Sequence, residues 1–199
     1  MHYLEETTGL SVEQIKEWGE ILSGFETKNK YTIRDLDGRP MFEALEESPV
    51  WSRWLLSSLR PFTLHIWDHR NVAVLELKRP FRFYFGEVQV NDQRQRPMGR
   101  IKRKFSILRR RFSVQDRLGR EKFEIIGPLL HPWTFHITRN AVNIGKITKR
   151  WSGLGKEMFT DADNFQVQFP QKAGLNDRCL FIGALFLIDI LFFENNNRR

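Results

Sequence analysis

At 199 residues and 23.8 kDa the chain is long enough to bury a sizeable core, and its 17 phenylalanines and 6 tryptophans supply bulky side chains for one. A formal net charge of +8 favours anionic partners such as lipid headgroups, nucleic acid or acidic proteins, without choosing among them. A single cysteine, Cys179, excludes an intramolecular disulfide framework and a cysteine-based zinc site.

The N-terminus, MHYLEETTGL, has neither the basic nor the apolar stretch of a signal peptide, so an intracellular, reducing location is expected. From Ser11 to Phe25 the spacing predicts an amphipathic helix. Ser11 and Gln14 are placed as a capping box, and Ile15, Trp18, Ile21, Leu22 and Phe25 recur on one face. Residues 1–29 are accordingly expected to form a helical segment packed on the domain.

From Lys30 the pattern changes to short alternating runs joined by polar turns. Five pairs can be laid under one another: YTIRDLDGRPMFEA, FTLHIWDHRNVAVLEL, EVQVNDQRQRPMGRIKR, FSVQDRLGREKFEII and FHITRNAVNIGKITK. Each has an alternating strand, a turn built on Asp, Asn or Gly, and a second strand. That recurrence is the hairpin spacing of an antiparallel barrel or sandwich. In NFQVQF, Phe165, Val167 and Phe169 alternate with Gln166 and Gln168, so it reads as one more strand.

The chain closes with CLFIGALFLIDILFFENNNRR, in which only Asp189 interrupts the apolar residues from Cys179 to Phe193. As a helix, about 15 residues cover roughly 22 Å, short of a hydrocarbon core about 30 Å thick. A helix apolar all round belongs in lipid or at the centre of a large core. The hairpins need something to enclose, so the helix is expected inside the sheet, with Leu180, Phe181, Ile182, Leu185, Phe186, Ile188 and Phe192 buried. Asp189 must then find a partner or reach the rim.

No catalytic constellation stands out. His2, His65, His69, His131 and His136 lack metalloprotease spacing, although His65 and His69 flank a turn on which they could meet.

GFETKNKY, RPFTLHIWD, GKITKRWSG, EMFTDADNFQVQFP and GALFLIDILFFE together resemble the phospholipid scramblase family, whose domain is similar to the tubby-like fold. The match runs in order from about Leu22 to Glu194. It implies a mainly β fold: a closed antiparallel barrel of about twelve strands over residues 30–194, enclosing a hydrophobic C-terminal helix at 176–193, with a polar tail at 195–199. It also implies calcium-stimulated, energy-independent movement of phospholipid between leaflets, and binding of anionic headgroups through basic surfaces.

The resemblance further implies a calcium loop at Asp161, Asp163 and Asn164. Counted as an EF-hand-type loop from Asp161, Gln166 stands where Gly is wanted, Lys172 where the closing carboxylate belongs, and Phe165 and Phe169 at donor positions. The expectation for Ca2+ is therefore weak binding. Family members often carry a cysteine cluster for acylation where this chain has RPFRFYFGEV, and Cys179 is expected inside the barrel. Membrane attachment would then be electrostatic, helped by exposed aromatics. Arg100, Lys102 and Lys104 alternate along one side of a strand, and with Arg109, Arg110 and Arg111 they are the expected headgroup ligands. GKITKRWSG resembles an import signal of some relatives, with Lys146, Lys149 and Arg150 as its basic residues. The leading expectation is a peripheral, phospholipid-binding scramblase-like protein with no bond chemistry. The alternative is a soluble module that binds nucleic acid or protein through the same basic surface.

Overall fold

The computed structural model describes residues 2–15, 29–47, 61–81, 86–150 and 164–193. Its twelve strands are β1 (Gly9–Ile15), β2 (Lys30–Asp35), β3 (Pro40–Glu47), β4 (Phe62–Asp68), β5 (Ala73–Arg79), β6 (Glu87–Asp92), β7 (Pro97–Lys104), β8 (Arg109–Asp116), β9 (Glu121–Pro128), β10 (Thr134–Arg139), β11 (Val142–Arg150) and β12 (Asn164–Gln168). They close into one antiparallel barrel in which each strand pairs with its neighbours in sequence and β1 pairs with β12. The five sequence-predicted hairpins are β2–β3, β4–β5, β6–β7, β8–β9 and β10–β11.

Two helices complete the described chain: α1 (His2–Glu6) and α2 (Leu175–Phe192). The expected helix from Ser11 is not formed in its first part, because Ser11–Ile15 are strand. Leu10 and Val12 point inward and are 0% and 2% exposed, facing Val167 and Phe165 across the β1–β12 seam. Closing the sheet requires a strand there, and that pairing overrides a helical spacing that continues only beyond Ile15. Gln14 bonds Asn29 (Nε2 to Oδ1, 3.1 Å) rather than capping back onto Ser11. Residues 16–25 of that expected helix lie outside the described residues.

α2 fills the barrel. Every residue from Asp177 to Ile190 is buried, which explains why the sequence shows no polar face. Leu180, Phe181, Ile182, Leu185, Phe186 and Ile188 are each 0–1% exposed, whereas Phe192, expected buried with them, is only partly buried because the last turn of the helix reaches the barrel's rim. Inward-facing side chains of the wall meet them: Tyr31 packs edge-on to Phe186 at 5.0 Å, and Phe123 lies 5.1 Å from Phe181. Asp189 is also buried and is not left without a partner. Among the described residues no helix is long and apolar enough to cross a membrane.

The helix packs tightly against β6 and β7 at Gly183. A Cβ there would lie 2.7 Å from Val90 Cγ2 and 3.0 Å from Ile101 Cδ1, so the missing side chain is what lets the two surfaces meet. At its first turn Arg178, also buried, donates from Nε to the Ala173 carbonyl (2.9 Å) and from its terminal nitrogen to the carbonyls of Leu4 (3.0 Å) and Thr7. One guanidinium thereby ties α1 and the entry to β1 onto the plug.

At this end of the barrel four turns share one device. Asp35, Asp68, Asp92 and Asp116 each end a strand and accept, through Oδ1, the amides two and four residues on, at 2.8–3.0 Å. The position before the last is left-handed in every case, filled by Gly38, Asn71, Gln95 and Gly119 with φ of 86°, 57°, 59° and 79°. The carboxyls of Asp68, Asp92 and Asp116 are held below the usual aspartate value. The Val72 amide is the main cause at Asp68 and the Arg96 guanidinium at Asp92. At Asp116 desolvation pushes upward, but the amide and guanidinium of Arg120 outweigh it.

Two outcomes follow from this packing. Gly183→Val should destabilise by about 1–3 kcal/mol through overpacking, read from the urea midpoint; an unchanged midpoint would mean that the helix does not meet β6 and β7 at this position. Lowered folded-state pKa values stabilise the protein fully above the unfolded value of 3.8, and that contribution is lost as pH falls through the lower folded values. Urea midpoints measured across that acid range should fall more steeply for the native chain than for Asp92→Ala combined with Asp116→Ala.

Candidate functional site

Strand alternation sorts the expected headgroup ligands onto two sides of the wall. Arg100, Lys102 and Lys104 lie together on the outer face of β7, as their spacing predicts. They are not a bare cationic patch. Lys102 and Arg100 approach Glu87 at 3.7 and 4.0 Å, and Arg100 also donates from Nε to Gln115 at 2.8 Å. Lys104 bridges Glu121 (3.0 Å) and Glu124 (3.1 Å), and Arg111 on β8 joins the same Glu124 at 2.7 Å. Burial of the Lys104 ammonium opposes its charge, but the two glutamates outweigh this and hold its pKa above the usual lysine value.

Arg110 departs from the expected grouping with Arg109 and Arg111, because β8 alternates and carries it inward above Phe112. Its guanidinium stands 4.5 Å from the Phe135 ring and 5.1 Å from Phe192, and burial lowers its pKa. Arg103 and Lys149 do the same from β7 and β11, at 5.3 Å from Phe192 and 4.7 Å from Phe193 respectively. Three cations from the wall therefore sit over the aromatic C-terminal end of α2, which has no basic residue in its own last turn. Cation–π attraction and the negative end of the helix dipole both favour that placement.

The loops at this end expose apolar side chains. β7 and β9 both run antiparallel to β8, so the 105–108 and 129–133 connections leave the barrel on the same side. Phe105, Ile107 and Leu108 are 77%, 82% and 74% exposed, and Leu129 and Leu130 are 56% and 91% exposed. Arg109 pairs in register with Pro128, which brings the two tips side by side. Neither Arg103 nor Arg109 has an ion-pair partner among the described residues. The sequence reading did not single out these tips. Their signal is an apolar run, FSIL or LLHPW, where the turns after β2, β4, β6 and β8 begin with Asp and carry Arg.

The remaining expected sites are distributed as follows. Lys146 and Lys149 lie on opposite faces of β11, Lys146 exposed and Lys149 over the rings; Arg150 ends the strand. Asp161 and Asp163 lie outside the described residues, and Asn164 begins β12. Phe165 and Phe169 are buried, 3% and 7% exposed, where an EF-hand-type loop needs oxygen donors, and Lys172 is exposed. The described part of that segment does not fit such a loop. Among the described residues no group of three His, Cys, Asp or Glu side chains is placed to hold a metal ion. His65 lies beside Trp67, with ring centroids 5.7 Å apart, and His69 against Tyr3 at 5.9 Å.

Cys179 is fully buried, and burial pushes its thiol up to about 12. A folded chain should consequently react with a thiol reagent such as DTNB at a negligible rate near neutral pH, and should release one equivalent on denaturation. Rapid labelling of the native protein would show that α2 leaves the barrel.

Comparison with known proteins matches the scramblase family model to residues 1–195. Phospholipid scramblase 1 of Mus musculus is 32% identical over the whole chain, which spans 65% of that protein. Phospholipid scramblase 2 of Bos taurus is 32% identical over 98% of the chain and 71% of its own length. Phospholipid scramblase family member 5 of Homo sapiens is 30% identical over 98% of the chain and 78% of its own length. An X-ray structure of a protein from Arabidopsis thaliana aligns with a TM-score of 0.47 at 17% identity, covering 96% of this chain and 92% of that one.

Proposed function

The chain belongs to the scramblase family, and from that premise we propose that it binds anionic phospholipid surfaces from one side and promotes movement of phospholipid between leaflets without ATP. The supporting observation is the position of α2. Its apolar surface is spent inside the barrel, so it is not available as an anchor, and the plugged interior offers no polar groove for a headgroup. Lipid movement in this reading comes from deformation of the leaflet against which the protein sits. The net charge of +8 supplies the attraction, at about 1 kcal/mol for each Lys or Arg close to an anionic surface.

Calcium stimulation, implied by the family resemblance, is not built into the mechanism, because Phe165 and Phe169, at donor positions of the counted loop, are buried apolar side chains. Nucleic-acid binding through the outer face of β7 and β8 is a weaker reading, because Arg100, Lys102, Lys104 and Arg111 already have carboxylate partners.

Sedimentation with vesicles of phosphatidylcholine, alone or mixed with phosphatidylserine, should recover the protein only with the anionic lipid, and less of it as salt rises. Equal, negligible recovery with both would remove the proposal. A dithionite assay on fluorescent-lipid vesicles, run with and without calcium, should show faster loss of the protected signal when protein is added. No acceleration under either condition would leave lipid binding without transport.

A further inference from the structure

We propose that the protein docks on the bilayer end-on, with the tips of the β7–β8 and β9–β10 loops entering the interface and Arg103 and Arg109 meeting lipid phosphates at their base. This rests on the lipid-binding reading above and assigns it to a surface. The expected surface was the outer face of β7 and β8, but its cations are committed to Glu87, Glu121 and Glu124. At the opposite end of the barrel Arg39, Arg70, Arg96 and Arg120 each lie within 4.0 Å of a turn aspartate, and although Arg94 and Arg117 have no carboxylate partner among the described residues, the exposed apolar side chains there, such as Leu118, stand one to a turn. At the loop end Arg103 and Arg109 keep their charge uncompensated by any carboxylate among the described residues.

Five large apolar side chains on two adjacent tips are exposed beside them. Nothing in the fold requires those residues to be apolar, since the hairpin turns at the other end do the same structural task with Asp and Arg. Exposed apolar tips rimmed by positive charge match the cross-section of an anionic leaflet, with phosphates outside and acyl chains beneath. A nucleic acid would satisfy the arginines and leave Ile107 and Leu130 in water. The occupant is therefore an anionic lipid surface.

The buried thiol of Cys179 makes a direct test possible, because an added surface cysteine can be labelled alone. Ile107→Cys, Leu130→Cys and, at the far end, Leu118→Cys would each carry an environment-sensitive dye and be mixed with vesicles with and without phosphatidylserine. Emission should shift to the blue at positions 107 and 130 with the anionic vesicles only, and stay unchanged at 118. Ile107→Asp combined with Leu130→Asp should lower affinity for these vesicles by at least about tenfold while leaving the thermal melt in place.

If the native chain binds anionic vesicles but the shift occurs at 118 instead, or the double variant binds as tightly as the native chain, end-on docking is wrong and lipid binding survives. A native chain that binds no vesicles overturns both. A blue shift at 107 that grows with protein concentration in the absence of lipid would identify the tips as a self-association surface and overturn the proposal.

Discussion

A helix with no polar face has to be enclosed, and the other elements are arranged to meet that requirement. Twelve strands provide the enclosure, and the strand at each chain end of the sheet, β1 and β12, must find the other for it to close. Burying a large apolar side chain stabilises by about 1.5–3 kcal/mol relative to leaving it in water, so the plug and the wall each lose most of their reason to fold if separated. Gly183 shows how close the fit is, since even a methyl group at that position would press on Val90 and Ile101.

The same enclosure gives the barrel two unlike ends. Where α2 enters, Arg178 gathers the carbonyls of Leu4, Thr7 and Ala173, and short turns pair each strand-ending aspartate with backbone amides and an arginine. Each of those aspartates has an arginine partner, while Arg94 and Arg117 have no carboxylate partner among the described residues. Where α2 ends, the wall supplies the cations that the helix lacks, and Arg103, Arg110 and Lys149 rest on Phe192, Phe135 and Phe193. An aromatic floor under a cationic rim, surrounded by apolar loop tips, is suited to a boundary between water and hydrocarbon.

For a scramblase-family chain this arrangement limits the mechanism. A lipid headgroup crossing a bilayer needs a polar route, and the interior of this barrel is filled from Asp177 to Ile190. In the proposed reading the remaining lever is the surface, where charge would attract a leaflet and apolar tips would disorder it. Basic composition alone does not make a free cationic surface: Arg100, Lys102, Lys104 and Arg111 on β7 and β8 pair with Glu87, Glu121 or Glu124, while Arg103 and Arg109 have no ion-pair partner among the described residues.

Much of this was legible residue by residue. Alternation marked both strands of each hairpin, Asp, Asn or Gly marked the turns, and an apolar run broken only by Asp189 marked the plug, because each of these is a local pattern with a local physical cause. Local pattern misled at Ser11, where helical spacing was real but the open seam between β2 and β12 demanded a strand. It could not assign Arg100, Lys104 and Arg110 their different fates, since partners such as Glu87, Glu124 and Phe192 come from distant strands and from the helix. Composition and periodicity established a basic, hairpin-built container with an apolar filling. Which of its charges remain free, and at which end, depends on long-range register, because an ion pair or a cation–π contact exists only once folding has brought its two halves within a few ångströms.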